Sequence, residues 1–204
     1  YVVDSEPGSY LYCGLSRDAS KEEILERINN NTITDILNKI EVKAGDVVMV
    51  KAGTIHAIGA GVFICEIQQN SNCTYRMYDY DRRDKFGNPR ELHVKKALDV
   101  VDNHKYIKDN KTEVVIARNE HFTEERLVQC KYFEVYKYDV NDEAKITVDE
   151  ASFVSVLFIN GSGTIETDDY EKTMEFKAGD SFFVSAGLRS IIVKGRATMV
   201  VTRV

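Results

Sequence analysis

Short β-favouring runs closed by Gly, Asn or Asp dominate the chain. Val47–Val50, Val62–Gln68, Thr74–Tyr80, Tyr132–Tyr138, Phe153–Ile159, Ser181–Val184, Ser190–Val193 and Ala197–Val201 all read as strands. Tyr1-Val2-Val3-Asp4 is strand-like too. Three stretches switch to helical spacing. Ser20-Lys21-Glu22-Glu23 is a capping box, and Ile24, Leu25 and Ile28 follow on one face. Thr32 is placed to cap a second set made of Ile33, Ile36, Leu37 and Ile40. Leu92, Ala97, Leu98 and Val101 form a third apolar stripe. The pattern predicts a mainly β chain with a small helical insertion at about residues 20–40 and a short helix in a polar linker.

A repeat organises these runs. Lys43-Ala44-Gly45-Asp46, Ala52-Gly53 and Ile58 recur as Lys177-Ala178-Gly179-Asp180, Ala186-Gly187 and Ile192, at a constant offset of 134 residues. A weaker match aligns Tyr1-Val2-Val3-Asp4 with Leu157-Phe158-Ile159-Asn160. The chain therefore divides into a first β unit over residues 1–80, a linker over 81–111 and a second unit over 112–204. About forty residues of β sequence precede Phe153–Ile159, whereas nothing precedes Tyr1, so the first unit is expected to lack its opening strands. The copies also differ in chemistry. Gly53-Thr54-Ile55-His56 stands against Gly187-Leu188-Arg189-Ser190, and serine is a poor metal ligand.

Composition narrows the function classes. The 204 residues carry 27 basic and 33 acidic side chains, a net charge of −6 with no basic stripe, which argues against a nucleic-acid partner. No apolar run reaches the length of a membrane-spanning helix, so no membrane partner is expected. Cys13, Cys65, Cys73 and Cys130 show no CxxC spacing and fit free thiols in a reducing cytoplasm.

The spacing Gly45-x5-Lys51-Ala52-Gly53-x2-His56 resembles the second metal-binding motif of the cupin superfamily, with Lys51 where that motif has Pro. Glycines allow the tight turn, and the strand that follows aims one imidazole inward. Cys65-Glu66-Ile67-Gln68-Gln69-Asn70-Ser71 and Tyr75-Arg76-Met77-Tyr78-Asp79-Tyr80-Asp81-Arg82 come next, after Gly53-Thr54-Ile55-His56-Ala57. In that order and spacing they resemble the type I mannose-6-phosphate isomerases, zinc-dependent cupin enzymes, in the short form of Gram-positive bacteria. Pro89-Arg90-Glu91-Leu92-His93 and Lys96-Ala97-Leu98-Asp99-Val100 extend the likeness.

The resemblance implies two cupin or jelly-roll units, the first N-terminally incomplete and the second metal-free. It implies a cytoplasmic enzyme that interconverts mannose 6-phosphate and fructose 6-phosphate, with a sugar phosphate as its small-molecule partner. One zinc ion would be held by His56 and by ligands upstream of Tyr1, so this chain reads as the C-terminal two-thirds of such an enzyme, inactive alone. Arg76 takes the place of the family's active-site arginine. Asn72 stands where many members have Asp, so no acid–base role is assigned there. Oligomeric state and the proton-transferring group stay open. A non-catalytic sugar-binding cupin and a purely structural piece are the alternatives.

Read from the residues alone, Asn70-Ser71-Asn72 is a turn, and a hairpin centred on Ser71 places Glu66 across from Arg76. Such a pair either lines a polar barrel wall that binds a polyhydroxylated ligand or is an exposed cross-strand ion pair. The Asp79–Lys85 charge cluster reads as a solvated hairpin end, and His93, His104 and His121 as solvated surface histidines. In the second unit, Val154 stands where a ligand Glu would precede Gly161 by seven residues, so that unit is expected to bind no metal.

Overall fold

The structure, a computed structural model, describes residues 1–108, 114–167 and 172–204. Two units emerge, Tyr1–Lys108 and Asp109–Val204.

In the first unit, β1 (Val2–Ser5) and β2 (Tyr10–Leu15) lead into α1 (Lys21–Asn29), then a 3₁₀ turn (Ile33–Ile36) and β3 (Leu37–Glu41). β4 (His56–Ile58), β5 (Val62–Ile64) and α2 (Val94–Val100) follow. β1 pairs with β5, and β2 lies between β3 and β4. The capping box forms as the sequence predicts, with Ser20 accepting from the Glu23 backbone N–H at 3.1 Å. Ile24 and Ile28 of α1 pack against Leu15, Ile33 and Ile36.

The second helical set does not form. Thr32 makes no side-chain cap, one 3₁₀ turn closes, and the chain then joins β2 in register Tyr10↔Glu41. Leu37 stays with the α1 cluster while Ile40 packs with Val2, Leu11 and Val42, so the stripe splits between two cores. The expected strand at Val47–Val50 is also absent, and Val62–Gln68 shortens to Val62–Ile64.

In the second unit, β6 (Val114–Arg118), β7 (Phe122–Gln129), β8 (Glu134–Val140), β9 (Glu143–Val148) and β10 (Val154–Thr167) follow in turn. β11 (Thr173–Lys177), β12 (Ser181–Val184) and β13 (Arg189–Arg203) complete the unit. The order is β11-β10-β13-β8-β7-β6, with β12 on β10 and β9 on β13. Ser190–Val193 and Ala197–Val201, two runs in the sequence, are halves of the 15-residue β13. Phe158, Val156, Ile146, Val193, Met199 and Val201 lie in its core, and Phe158 stacks on Phe176 with ring centroids 3.7 Å apart.

The repeat is structural as well as sequential. Gly45 and Gly179 both adopt positive φ, at 94° and 90°. Asp46 and Asp180 each accept from the backbone N–H three residues before, at 2.8 and 2.9 Å. The Gly45 N–H donates to Val2 O and the Gly179 N–H to Phe158 O, at 2.9 and 2.8 Å. Val2 and Phe158 therefore correspond, and the ladder irregularity after each falls at the same step, Val2/Asp4 on β5 and Phe158/Asn160 on β13. The helical insertion occupies the connection between β2 and β3, which is far longer in sequence than the separation of Thr167 from Thr173 between β10 and β11.

Candidate functional site

His56 opens β4 directly across from Cys13 of β2. The turn before it depends on Gly53, at φ 82°, whose missing side chain leaves room for Val100 O only 2.7 Å from a built Cβ. The Asp102 N–H donates to Gly53 O at 2.9 Å, so the end of α2 braces this turn. The imidazole is exposed, and its Nδ1 lies 2.9 Å from Thr54 O. A carbonyl only accepts, so this contact assigns the proton to Nδ1 and leaves the Nε2 lone pair free. Metal-binding histidines are held in this way, with the second nitrogen bonded to a carbonyl or carboxylate.

Glu66 and Arg76 are not brought together. No strand runs through residues 65–80, and no ion pair joins the two side chains among the described residues. The backbone explains why. Arg76 N–H donates to His93 Nδ1 at 3.3 Å, and Arg76 O accepts from His93 N–H at 2.7 Å. Both polar groups that a hairpin partner would use are spent on His93. The half-buried Arg76 side chain reaches Glu91 O at 3.4 Å, and Glu66 is exposed. His93 is thus a structural partner of Arg76 rather than a solvated histidine. His104 and His121 are exposed and bonded to Asp102 and Asp142.

Asp81–Lys85 of the charge cluster are exposed, as a solvated hairpin end would be, and an antiparallel bridge joins Arg83 to Pro89, but Asp79 departs from that reading. Asp79 is only 6% exposed. Its Oδ1 lies 2.7 Å from Arg82 and 3.6 Å from Arg90, while Oδ2 is buried with no hydrogen-bond partner. Tyr80 and Asp81 follow in left-handed conformations, φ 55° and 49°, which turn the chain sharply after the buried carboxylate. Asp79, Asp81, Arg82 and Arg90 line a small open cleft of about 100 Å³, walled by Tyr78 and Leu92. Sequence reasoning missed this site because its charges sit in one short run. The signal available was the apolar pair Met77-Tyr78, which packs on the α1 cluster and draws Asp79 inward.

Among the described residues, no three His, Cys, Asp or Glu side chains converge on a point that could hold a metal ion. His56 suits one ligand position, with Nε2 free, but these residues do not complete a zinc site, which needs three or four. In the second unit the matching positions hold Ser190, 1% exposed, and Val154, 2% exposed and paired with Val184 and Arg203.

The antiparallel sheets, most fully the eight-stranded sheet of the second unit, are of the cupin type. Residues 123–204 match the family model of the mannose-6-phosphate isomerase cupin domain. YvyI of Bacillus subtilis, provisionally named a mannose-6-phosphate isomerase, is 38% identical over all of this chain and 63% of that protein. Mannose-6-phosphate isomerase ManA of the same organism is 32% identical over 99% of this chain and 62% of its own length. The crystal structure of the mannose 6-phosphate isomerase from Bacillus subtilis superposes with a TM-score of 0.89 at 35% identity, covering all of this chain and 63% of that one. The chain is thus similar to mannose-6-phosphate isomerases along its whole length and spans a little under two thirds of theirs.

Proposed function

We propose that the chain is part of an aldose–ketose isomerase that interconverts mannose 6-phosphate and fructose 6-phosphate. Similarity to ManA over 99% of this chain and 62% of ManA, together with the matching crystal structure, supports this reading most strongly. The reaction moves a proton from C2 of the aldose to C1 of the ketose through a cis-enediol, with no net oxidation. Zinc, when bound, would supply Lewis-acid polarisation of the carbonyl, and His56 is the residue of this chain suited to hold it. Arg76 would place fixed positive charge beside the oxygens that become negative in the transition state. The exposed Glu66 carboxylate is available to accept from a sugar hydroxyl. Arg82 and Arg90, at the cleft around Asp79, would take the phosphate, with Asp79 holding both guanidinium groups in place.

The test uses this chain completed with the portion of ManA that the alignment leaves unmatched. The completed protein should turn over mannose 6-phosphate but not mannose, and the 204-residue chain alone should show negligible turnover. Arg76→Ala should lower kcat by roughly 10²–10³ with zinc content unchanged. Arg90→Ala should raise KM about tenfold with kcat retained. A folded, zinc-loaded completed protein without isomerase activity would overturn the reading. Sugar binding without turnover would favour a non-catalytic cupin.

A further inference from the structure

The second unit carries a charged group on the inner face of its sheet that the isomerase reading does not use. Tyr136 and Tyr138 alternate along β8, across from Arg126 and Glu124 of β7, and Arg203 ends the neighbouring β13. This is the core side of the sheet, because Tyr138 lies in the core with Val140, Met199 and Val201, and Tyr136 packs against it. Tyr136 donates to Glu134 and Tyr138 to Glu124, each at 2.6 Å. Both nearby carboxylates are therefore engaged by neutral hydroxyls, not by the arginines.

Neither Arg126 nor Arg203 forms an ion pair among the described residues, and the Nε of Arg126 is buried with no hydrogen-bond partner. The Arg203 guanidinium lies 5.7 Å above the Tyr136 ring and also interacts with the Tyr138 hydroxyl, and both arginines act electrostatically on the Tyr136 hydroxyl. The two cations thus flank one tyrosine. A buried guanidinium N–H without an acceptor is costly, and a planar oxyanion is the group that relieves it, by charge-assisted and bidentate bonds.

We propose that Arg126 and Arg203 form an anion site on the inner sheet face of the second unit, for a small molecule bearing a phosphate or carboxylate group. Glu124 and Glu134 beside it set an upper limit on ligand charge, which favours singly charged oxyanions over polyanions. Nothing in the proposal needs a metal or the residues of the first unit.

Titrating the isotope-labelled 204-residue chain with inorganic phosphate and with acetate, at constant ionic strength, tests it through the arginine Nε–H resonances. The Arg126 resonance, identified by its loss in Arg126→Lys, should shift and saturate, and the anion that saturates it more tightly names the ligand group. Arg203→Gln should weaken that binding at least about tenfold, whereas Arg118→Gln on β6 should leave it unchanged. If Arg203→Gln does not give a native spectrum, Arg126→Lys replaces it, with binding followed at the amide of Tyr136. No saturating shift with either anion, or affinity unchanged in these variants, would overturn the site.

Discussion

The two units share one scaffold and differ in what flanks it. In the second, the two halves of β13 are covered by β8 and β9, in registers Met199↔Tyr138 and Ser190↔Thr147. In the first, the matching strands β5 and β4 each pair on one side only among the described residues. Ile58, at 51% exposure, and Phe63, at 65%, lie on these one-sided strands. The same turn thus supports a covered unit whose matched position is a buried serine and an open one whose matched position is an exposed histidine. The turn is the mechanical part the two units share, and the strand that leaves it decides which side chain stands at the matched position.

The largest expected difference is in the core. Phe158 and Val2 receive the same turn hydrogen bond, but only Phe158 stacks in a full core. Phe158→Ala should cost the second unit about 3–5 kcal/mol, and Val2→Ala should cost the first clearly less. Hydrogen exchange at core amides of each unit reads both values. Equal losses would mean that the first unit packs as fully as the second.

The glycines of the histidine turn sharpen the comparison. Gly53 and Gly187 share a positive φ, 82° and 80°, but only Gly53 has backbone against its missing side chain. Gly187→Ala should therefore cost about 1–2 kcal/mol of conformational strain, and Gly53→Ala roughly 1–3 kcal/mol more. Thermal denaturation of both variants checks the ordering.

What the residues revealed in advance follows the same division. The capping box at Ser20 and the repeated Lys-Ala-Gly-Asp turn are local devices, closed by side chains within three residues, and both were legible. The Leu37–Glu41 strand was misread as helix because its fate depends on a distant partner, β2. The Glu66–Arg76 pair failed for the same reason, since His93 takes the Arg76 backbone groups. β7, with the charged run Glu124-Glu125-Arg126, gave no clean apolar alternation, so it and the anion site on it went unseen. The even alternation of Glu143–Val148, buried at every second residue, is a strand signal carried by the sequence itself. His56 does follow a glycine turn, but its imidazole is exposed rather than aimed inward, and the burial of Asp79 needed tertiary packing to appear.

The turn carboxylates should behave alike. Asp46→Ala and Asp180→Ala each remove one acceptor from a backbone N–H, so each should destabilise its own unit by about 1 kcal/mol. A difference of more than about 1 kcal/mol between them would break the equivalence of the turns.

The smallest effect is a pH dependence confined to the second unit. The Asp142 hydrogen bond raises the His121 pKa above its ordinary 6.5, and His121 in turn holds Asp142 below its ordinary 3.8. The His121 contribution is complete below pH 6.5 and fades as pH rises through the raised value. The Asp142 contribution is present above pH 3.8 and fades as pH falls through the lowered value. Stability of the second unit should carry this small contribution between those limits, and His121→Asn should flatten the profile. An unchanged profile in that variant would remove the pair from the comparison.

The difference that matters most is His56 against Ser190. Replacing His56 by the residue of the matched position, His56→Ser in the completed protein, and measuring zinc content with mannose 6-phosphate turnover tests directly whether the first unit carries the chemistry. Zinc content should fall and turnover should drop at least about 10²-fold, while the fold, read by circular dichroism, persists. Zinc content and turnover both within twofold of the parent would contradict the assignment of the catalytic centre to His56 and its strand.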